Sequence, residues 1–218
     1  MFSKNSMISF EKIEKFLDFY VKVLNVQWKI RLGKPNNRGE EIYNKTYTEK
    51  LRKIFNSKNL FRRSVSIAEI VSWLDSFVVI ESLVNFLKKN LTQTTLNEIS
   101  LHCEYKISMS KNRRVDFVIQ YKKRVLLVEF RVSEKFPNIS NVWQKKELEL
   151  IIYKELIKNY IDESYRIYVY AFIAMPEYKG KEKIHKHVTY NEKNVAHLGE
   201  YIIKYILGRM DYENTTSK

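Results

Sequence analysis

The chain has 218 residues, and its 39 Lys and Arg residues against 25 Asp and Glu residues give a formal net charge of +14. With five glycines and three prolines, it lacks the composition of a collagen, a low-complexity chain or a linker-rich protein. Its 44% hydrophobic content is enough for the core of one domain with an extension, and the positive charge favours a polyanionic partner.

The sequence predicts a cytoplasmic protein. The single cysteine, Cys103, has no partner for an internal disulfide, and no Cys and His spacing resembles a structural zinc site. Residues 1–16 carry charges every few positions and lack the apolar centre of a secretory signal. The most apolar stretches are interrupted by charge or are too short to span a bilayer, so no membrane contact is expected.

An N-terminal helical extension is expected over residues 1–65. Residues 8–31 place apolar side chains at helical spacing, which predicts one long amphipathic helix. Residues 33–40 gather two of the five glycines and one of the three prolines, and they form the clearest loop in the sequence. A short helix is predicted at residues 48–56.

A second unit is expected over residues 66–210, followed by a flexible tail at residues 211–218. Its apolar spacing changes from helical to alternating and back again. The pattern predicts, in order, a helix, three strands, a helix, a strand and a helix, at residues 66–91, 99–109, 115–121, 125–132, 142–160, 165–175 and 194–207. The expected fold class is therefore α/β, with a mixed central sheet flanked by helices.

Two acidic residues stand inside apolar strands of this unit. Asp116 begins one predicted strand and Glu129 lies near the end of the next, so a tight hairpin would bring the two carboxylates side by side. A buried, unpaired carboxylate costs several kcal/mol, and a divalent ion such as Mg²⁺ compensates for that cost. Arg131 is expected on the same side of its strand as Glu129. The alternative is a structural ion pair of Arg131 with Glu129 or Asp116.

The sequence Arg114-Val115-Asp116, followed by Glu129-Phe130-Arg131, resembles the signature of the PD-(D/E)xK nuclease superfamily. The resemblance covers about residues 66–175 and implies a restriction-endonuclease-like core with the element order α-β-β-β-α-β. It also implies metal ligands at Asp116, at Glu129 and at the backbone carbonyl of Phe130, with Mg²⁺ or Mn²⁺ as the cofactor.

Glu81 is a further candidate ligand. The residues around it, Ile-Glu-Ser-Leu-Val-Asn-Phe-Leu, are similar to the corresponding helix of archaeal Holliday-junction resolvases, which implies that Glu81 also binds metal. Two alternatives stay open for that position, Glu98 and Glu104, because either could lie on the first strand. A salt bridge of Glu81 to Lys88 or Lys89 is the structural alternative.

The chain departs from the superfamily pattern at two places. Arg131 stands where the family has lysine, and arginine does not lose its proton, so we expect Arg131 to orient water or neutralise phosphate charge rather than act as a base. The helix after the sheet carries Gln144 with Leu148, or Glu149 with Tyr153, in place of Gln-x-x-x-Tyr. The exonuclease-like subgroup is therefore not favoured.

Taken together, the sequence predicts a metal-dependent nuclease acting on DNA, including branched or junction DNA. Four basic residues near the expected site are candidates for DNA binding: Arg113, Arg114, Lys145 and Lys146. We expect a homodimer formed through the helix at residues 8–31 or through the C-terminal helix around Tyr201 and Tyr205. The alternatives are a DNA-binding module that has kept the fold without turnover, and a basic adaptor that acts through protein contacts.

Overall fold

The computed structural model describes residues 2–24, 28, 30, 39–58, 64–108, 113–132, 139–174 and 192–208. Within these residues, helices flank a five-stranded mixed sheet with the strand order β1-β2-β3-β4-β5. The strands are β1 (Ser6–Phe10), β2 (Ile99–Lys106), β3 (Arg114–Tyr121), β4 (Arg124–Val132) and β5 (Arg166–Ala174). The prediction of an α/β fold with a mixed sheet is confirmed.

After residue 66 the main elements follow the predicted order of a helix, three strands, a helix, a strand and a helix. The helices are α1 (Lys15–Phe19), α2 (Thr46–Ser57), α3 (Ile67–Asn90), α4 (Gln93–Asn97), α5 (Ile139–Lys158) and α6 (Glu192–Tyr201). Two of them continue as π-helical turns, α1 over Tyr20–Leu24 and α6 over Ile202–Ile206. Short 3-10 turns cover Phe2–Asn5 and Gly39–Ile42. The predicted tail at 211–218, and residues 33–38 of the predicted loop, lie outside the described residues.

The sheet is antiparallel from β1 to β4, and β5 is parallel to β4. A two-residue turn, Lys122 and Lys123, joins β3 to β4, as the predicted hairpin requires. Lys122 adopts a φ of 53°, the left-handed conformation that a tight hairpin turn needs. The last described β3–β4 pair is Phe117 with Val128, so the two strands separate beyond it.

Alternate side chains of the strands enter two hydrophobic layers on opposite faces of the sheet. Phe117 and Leu126 face the layer that contains α3 and α6. Val118 and Leu127 face the layer that contains α5. The sheet is therefore covered on both sides, which explains the nearly continuous apolar sequence of β4.

Helix α3 is the central helix of the larger layer. A capping box between Ser66 and Glu69 begins it. By length and composition α3 could cross a membrane, although no membrane-spanning stretch was predicted from the sequence. However, 72% of its most apolar window is buried inside the protein. Its apolar side chains form part of the hydrophobic core, because the helix is enclosed by α1, α6 and the sheet.

The prediction of one long helix over residues 8–31 is wrong. Ser6–Phe10 forms an edge strand that pairs with β2, and α1 begins only at Lys15. The backbone hydrogen bonds offered by β2 outweigh the helical periodicity of a segment that can satisfy either pattern. The segment before residue 65 therefore contributes a strand to the same sheet as the rest of the chain.

The aromatic side chains of this N-terminal segment belong to the core. Phe16 is fully buried, and its ring lies 5.6 Å from that of Phe77 in α3. Phe10 and Phe19 pack around the same ring of Phe16. Because Phe16 is enclosed within its own chain, it is not available to a second copy, and the expected homodimer stays a prediction that now depends on other surfaces, such as the partly exposed Tyr205.

His102 bridges the first two strands, and we expect it to make the fold sensitive to acid. Its two ring nitrogens each lie 3.1 Å from a hydroxyl, of Ser9 in β1 and of Ser100 in β2. Burial lowers the pKa of His102 to about 4, against an ordinary value of 6.5. Between these values the unfolded chain binds a proton that the folded chain does not, so stability is full above pH 6.5 and falls as the pH drops towards 4.

The expected loss from His102 at pH 4.5 is on the order of 2 kcal/mol of the free energy of unfolding. Urea unfolding of the parent and of His102→Gln at pH 7.5 and pH 4.5 measures it. Other groups titrate equally in both proteins, so the parent should lose more stability on acidification than the variant. Identical losses in the two proteins would contradict the prediction.

Candidate functional site

Asp116 and Glu129 lie side by side where β3 and β4 separate. The backbone N–H of Phe130 donates to Asp116 Oδ2 at 2.7 Å, and the backbone N–H of Asp116 donates to Glu129 Oε1 at 3.3 Å. The two carboxylates therefore take the place of backbone acceptors at the open end of the hairpin. The structure brings together the two acidic residues that the sequence singled out.

Both carboxylates are held in an environment that disfavours their charge. Burial raises the pKa of Asp116, and burial together with the nearby Asp116 charge raises the pKa of Glu129 well above its ordinary value. Glu129 is only 2% exposed, whereas Asp116 is half-buried. Two adjacent carboxylates in such surroundings are stable in the ionised form only when positive charge lies close to them.

Lys146 of α5 supplies positive charge to this pair. Its Nζ lies 2.6 Å from Glu129 Oε2 and 2.8 Å from Glu149 Oε2. The Tyr153 hydroxyl donates to Glu149 Oε1 at 2.6 Å. Burial alone would lower the pKa of Lys146, but the two carboxylates raise it, so the ammonium is held in its charged form.

A second ion-pair network lies beside the first, on the other side of Asp116. Arg114 Nε lies 2.7 Å from Glu104 Oε2, and Arg114 Nη2 donates to Glu69 Oε1 at 2.7 Å. The register between β2 and β3 places Glu104 opposite Asp116, because Cys103 pairs with Phe117 and Tyr105 with Val115.

Glu104 is the most unusual residue of this network. It adopts a φ of 52°, a conformation that non-glycine residues rarely take within a strand. It is 4% exposed, and burial raises its pKa to about 8 despite the guanidinium beside it. The negative charge of Asp116 contributes to the same shift. Backbone strain of this kind concentrates at functional sites.

Glu81, the predicted third ligand, lies away from this cluster. Helix α3 runs beside β3, with Glu69 at Arg114 and Phe77 at Phe117, where the two rings are 6.4 Å apart. Glu81 follows Phe77 by one turn, so it lies further along the helix than the site. In the described part of the chain it forms no hydrogen bond or ion pair.

Of the two alternatives to Glu81, only Glu104 reaches the site. Glu98 lies near the β3–β4 turn, where its carboxylate is 3.5 Å from Lys122 Nζ. Glu104 of β2 therefore occupies the position next to Asp116. Helix α3 contributes Glu69, which is linked to the site by its ion pair with Arg114. The capping sequence at Ser66 and Glu69 was visible in the sequence, but it indicated a helix start rather than a site residue.

Arg131 is exposed and forms no ion pair with any residue whose position is described. The alternative ion pair of Arg131 with Glu129 or Asp116 is therefore not formed, and the catalytic role of Arg131 stays a prediction. Alternation along a strand predicts only the face of the sheet on which a side chain lies. It does not predict the ion pair that Glu129 forms with Lys146 of helix α5.

The four predicted DNA-binding residues divide into two pairs. Arg114 and Lys146 lie within the acidic cluster, each between two carboxylates. Arg113 and Lys145, their immediate neighbours in sequence, are exposed on the surface. The cluster therefore has solvent-exposed positive charge at its rim and positive charge committed to ion pairs inside.

The cluster contains more acidic than basic side chains. Two cations, Arg114 and Lys146, face five carboxylates, which are those of Glu69, Glu104, Asp116, Glu129 and Glu149. Among the described residues, no three His, Cys, Asp or Glu side chains already converge as a metal-binding group. By charge and donor chemistry, Asp116, Glu129 and the Phe130 carbonyl fit a divalent ion that prefers oxygen ligands.

Neither the comparison with protein-family models nor the search of curated proteins finds a match to this chain. The fold and the site by themselves define a mixed α/β protein whose central sheet opens, between its third and fourth strands, around a partly buried acidic cluster.

Proposed function

We propose that this protein is a metal-dependent nuclease that hydrolyses phosphodiester bonds of DNA. The observation that carries the proposal is the pair formed by the half-buried Asp116 and the buried Glu129, which are adjacent and raised in pKa at the open end of a hairpin. Such a pair needs additional positive charge to ionise fully, and a divalent ion supplies it.

The order of the elements supports a restriction-endonuclease-like core. Helix α3, with the short helix α4 after it, is followed by the antiparallel strands β2, β3 and β4, then by α5 and the parallel strand β5. This is the α-β-β-β-α-β order that the resemblance to PD-(D/E)xK nucleases implies. The added edge strand β1 leaves that order unchanged.

Asp116, Glu129 and the Phe130 carbonyl would hold Mg²⁺ or Mn²⁺. When bound, such an ion polarises a phosphoryl oxygen and makes water a better nucleophile at neutral pH. The charge of +14 and the exposed Arg113 and Lys145 at the rim favour a DNA backbone as the ligand.

A cleavage assay tests the proposal directly. Plasmid, single-stranded and four-way-junction DNA are incubated with the protein and Mg²⁺ or Mn²⁺, and Asp116→Asn serves as the matched variant. Asparagine keeps an oxygen for the Phe130 N–H but removes the charge, so the variant should fold. It should lose more than about 100-fold in cleavage rate, which exceeds the cost of changing a residue that only supports a metal ligand. Equal cleavage by both proteins would refute the proposal.

The exposure of Arg131 favours one alternative, a DNA-binding module without turnover. In that case the cation that the superfamily signature places next to the second carboxylate is absent from its usual position. A parent protein that binds DNA with strong salt dependence, yet cleaves no substrate with either metal, would support this alternative.

A further inference from the structure

We propose that Lys146 is the catalytic cation of this site, in place of Arg131. The inference rests on the proposed nuclease function and names the residue that stabilises charge on the phosphate. Lys146 reaches the Glu129 carboxylate at 2.6 Å from helix α5, and its side chain is only 20% exposed. The positive charge next to Glu129 therefore comes from helix α5, and not from strand β4, where the sequence signature has Arg131.

Two arginines near the site, Arg131 and Arg114, are not placed for this role. Arg131 points to the surface and pairs with none of the described carboxylates. Arg114 lies beside Asp116 but is committed to Glu104 and Glu69, each at 2.7 Å. Lys146 is the basic side chain that contacts the carboxylate of the predicted Glu-x-Arg signature.

Glu149 and Tyr153 are positioning residues for Lys146. The three residues lie on the same side of α5, at spacings of three and four, so the hydroxyl of Tyr153 holds Glu149 and Glu149 holds the ammonium. Hydrogen bonds from Lys146 and Tyr153 lower the pKa of Glu149, although burial by itself would raise it. Glu149 is thus kept as an anion that fixes the ammonium.

The ammonium has one donor left for a substrate. It carries three N–H groups, of which two are used by Glu129 and Glu149. The third has no partner within the described ranges of the chain. A non-bridging phosphate oxygen of DNA fits such a donor, because hydrogen bonds between charged groups are short and strong.

The reaction that Lys146 assists is hydrolysis. A water oxygen forms a bond to phosphorus, and the bond from phosphorus to one sugar oxygen breaks. The water loses a proton to solvent, and the leaving sugar oxygen takes up a proton from solvent. Negative charge on the non-bridging oxygens is greatest between bond formation and bond breakage, and Lys146, held in its charged form by its carboxylate neighbours, stabilises that charge.

Five variants of the full chain, among them Arg131→Met, test the assignment in single-turnover cleavage of DNA with Mn²⁺. Lys146→Met should lose about 100-fold or more, and Lys146→Arg should recover part of that loss because it restores the charge. Tyr153→Phe should lose about 10-fold, as expected of a residue that acts through others. The matched control on the same helix, Lys158→Met, should stay within about twofold of the parent.

A second measurement separates catalysis from folding and from metal binding. Lys146→Met should keep the rise in melting temperature that Mn²⁺ produces in the parent, because Asp116 and Glu129 remain. Loss of cleavage with that rise intact assigns Lys146 to the reaction. If Lys146 only filled space, Lys146→Arg would not be expected to recover cleavage.

Two results would overturn the assignment. If Lys146→Met cleaves like the parent, or if Arg131→Met loses as much as Lys146→Met or more, then Lys146 is not the catalytic cation although the nuclease function stands. If the parent cleaves no substrate with either metal, the proposed function fails and this assignment fails with it.

Discussion

Millimolar Mn²⁺ is expected to raise the melting temperature of the parent protein by about 5–10 °C. Saturation near 100 times the dissociation constant contributes about 2.7 kcal/mol, and each kcal/mol shifts the melting temperature of a domain this size by about 2–4 °C. The physical reason is the excess of carboxylates over cations around Asp116 and Glu129, which a divalent ion relieves.

Glu129→Gln should abolish the effect of Mn²⁺ on the melting temperature. The matched control is Glu98→Gln, which removes a carboxylate that lies by Lys122, away from the site, and should keep the full rise. Differential scanning calorimetry of the three proteins with and without Mn²⁺ measures both shifts. A rise of the same size in the parent and in Glu129→Gln would place the ion elsewhere on the chain.

Arg114→Met is expected to destabilise the protein by about 3 kcal/mol. Breaking a buried ion pair by removing one partner typically costs about 3–5 kcal/mol, because it leaves an uncompensated buried charge. We expect the lower end of that range, because the pKa of Glu104 is already raised to about 8 and the residue can take up a proton. The adjacent, exposed Arg113 offers the matched control Arg113→Met, expected within about 0.5 kcal/mol of the parent.

The double variant Arg114→Met/Glu104→Gln identifies the source of this cost. Removing the orphaned carboxylate should recover part of the stability lost by Arg114→Met, which a double-mutant cycle in urea measures as a coupling energy. A strictly additive cycle would mean that Arg114 stabilises the fold by packing rather than by its charge.

The regular part of the fold could be predicted because local pattern and tertiary structure agree there. Residues 66–174 change from helical spacing to alternation and back, and each change coincides with a described helix or strand. The β3–β4 hairpin also follows from sequence, since the strands on either side of Lys122 and Lys123 leave room only for a short turn. That hairpin brings Asp116 and Glu129 together, so the pair of carboxylates was predictable as well.

The N-terminal segment shows where sequence patterns are insufficient. Residues 8–10 belong to the segment whose helical spacing predicted a helix, yet Ser6–Phe10 forms β1 because the edge of β2 offers unpaired backbone groups. No local pattern records the presence of that edge, which is assembled from residues about a hundred positions later. The same holds for Phe16, whose apolar surface suggested a partner but is buried against Phe77 of its own chain.

The sequence alone was enough to identify Asp116 and Glu129 as the two adjacent carboxylates. Both belong to one hairpin, in which contacts follow from the spacing of residues along the chain. The remaining charges of the site were decided by tertiary structure. Lys146 reaches Glu129 from a helix, and Arg114 joins Glu104 to Glu69 across a strand and a helix. Ion pairs between separate elements depend on how those elements pack, and a buried carboxylate accepts whichever cation the packing brings within reach. For this reason the acidic pair was predictable and its counter-charges were not.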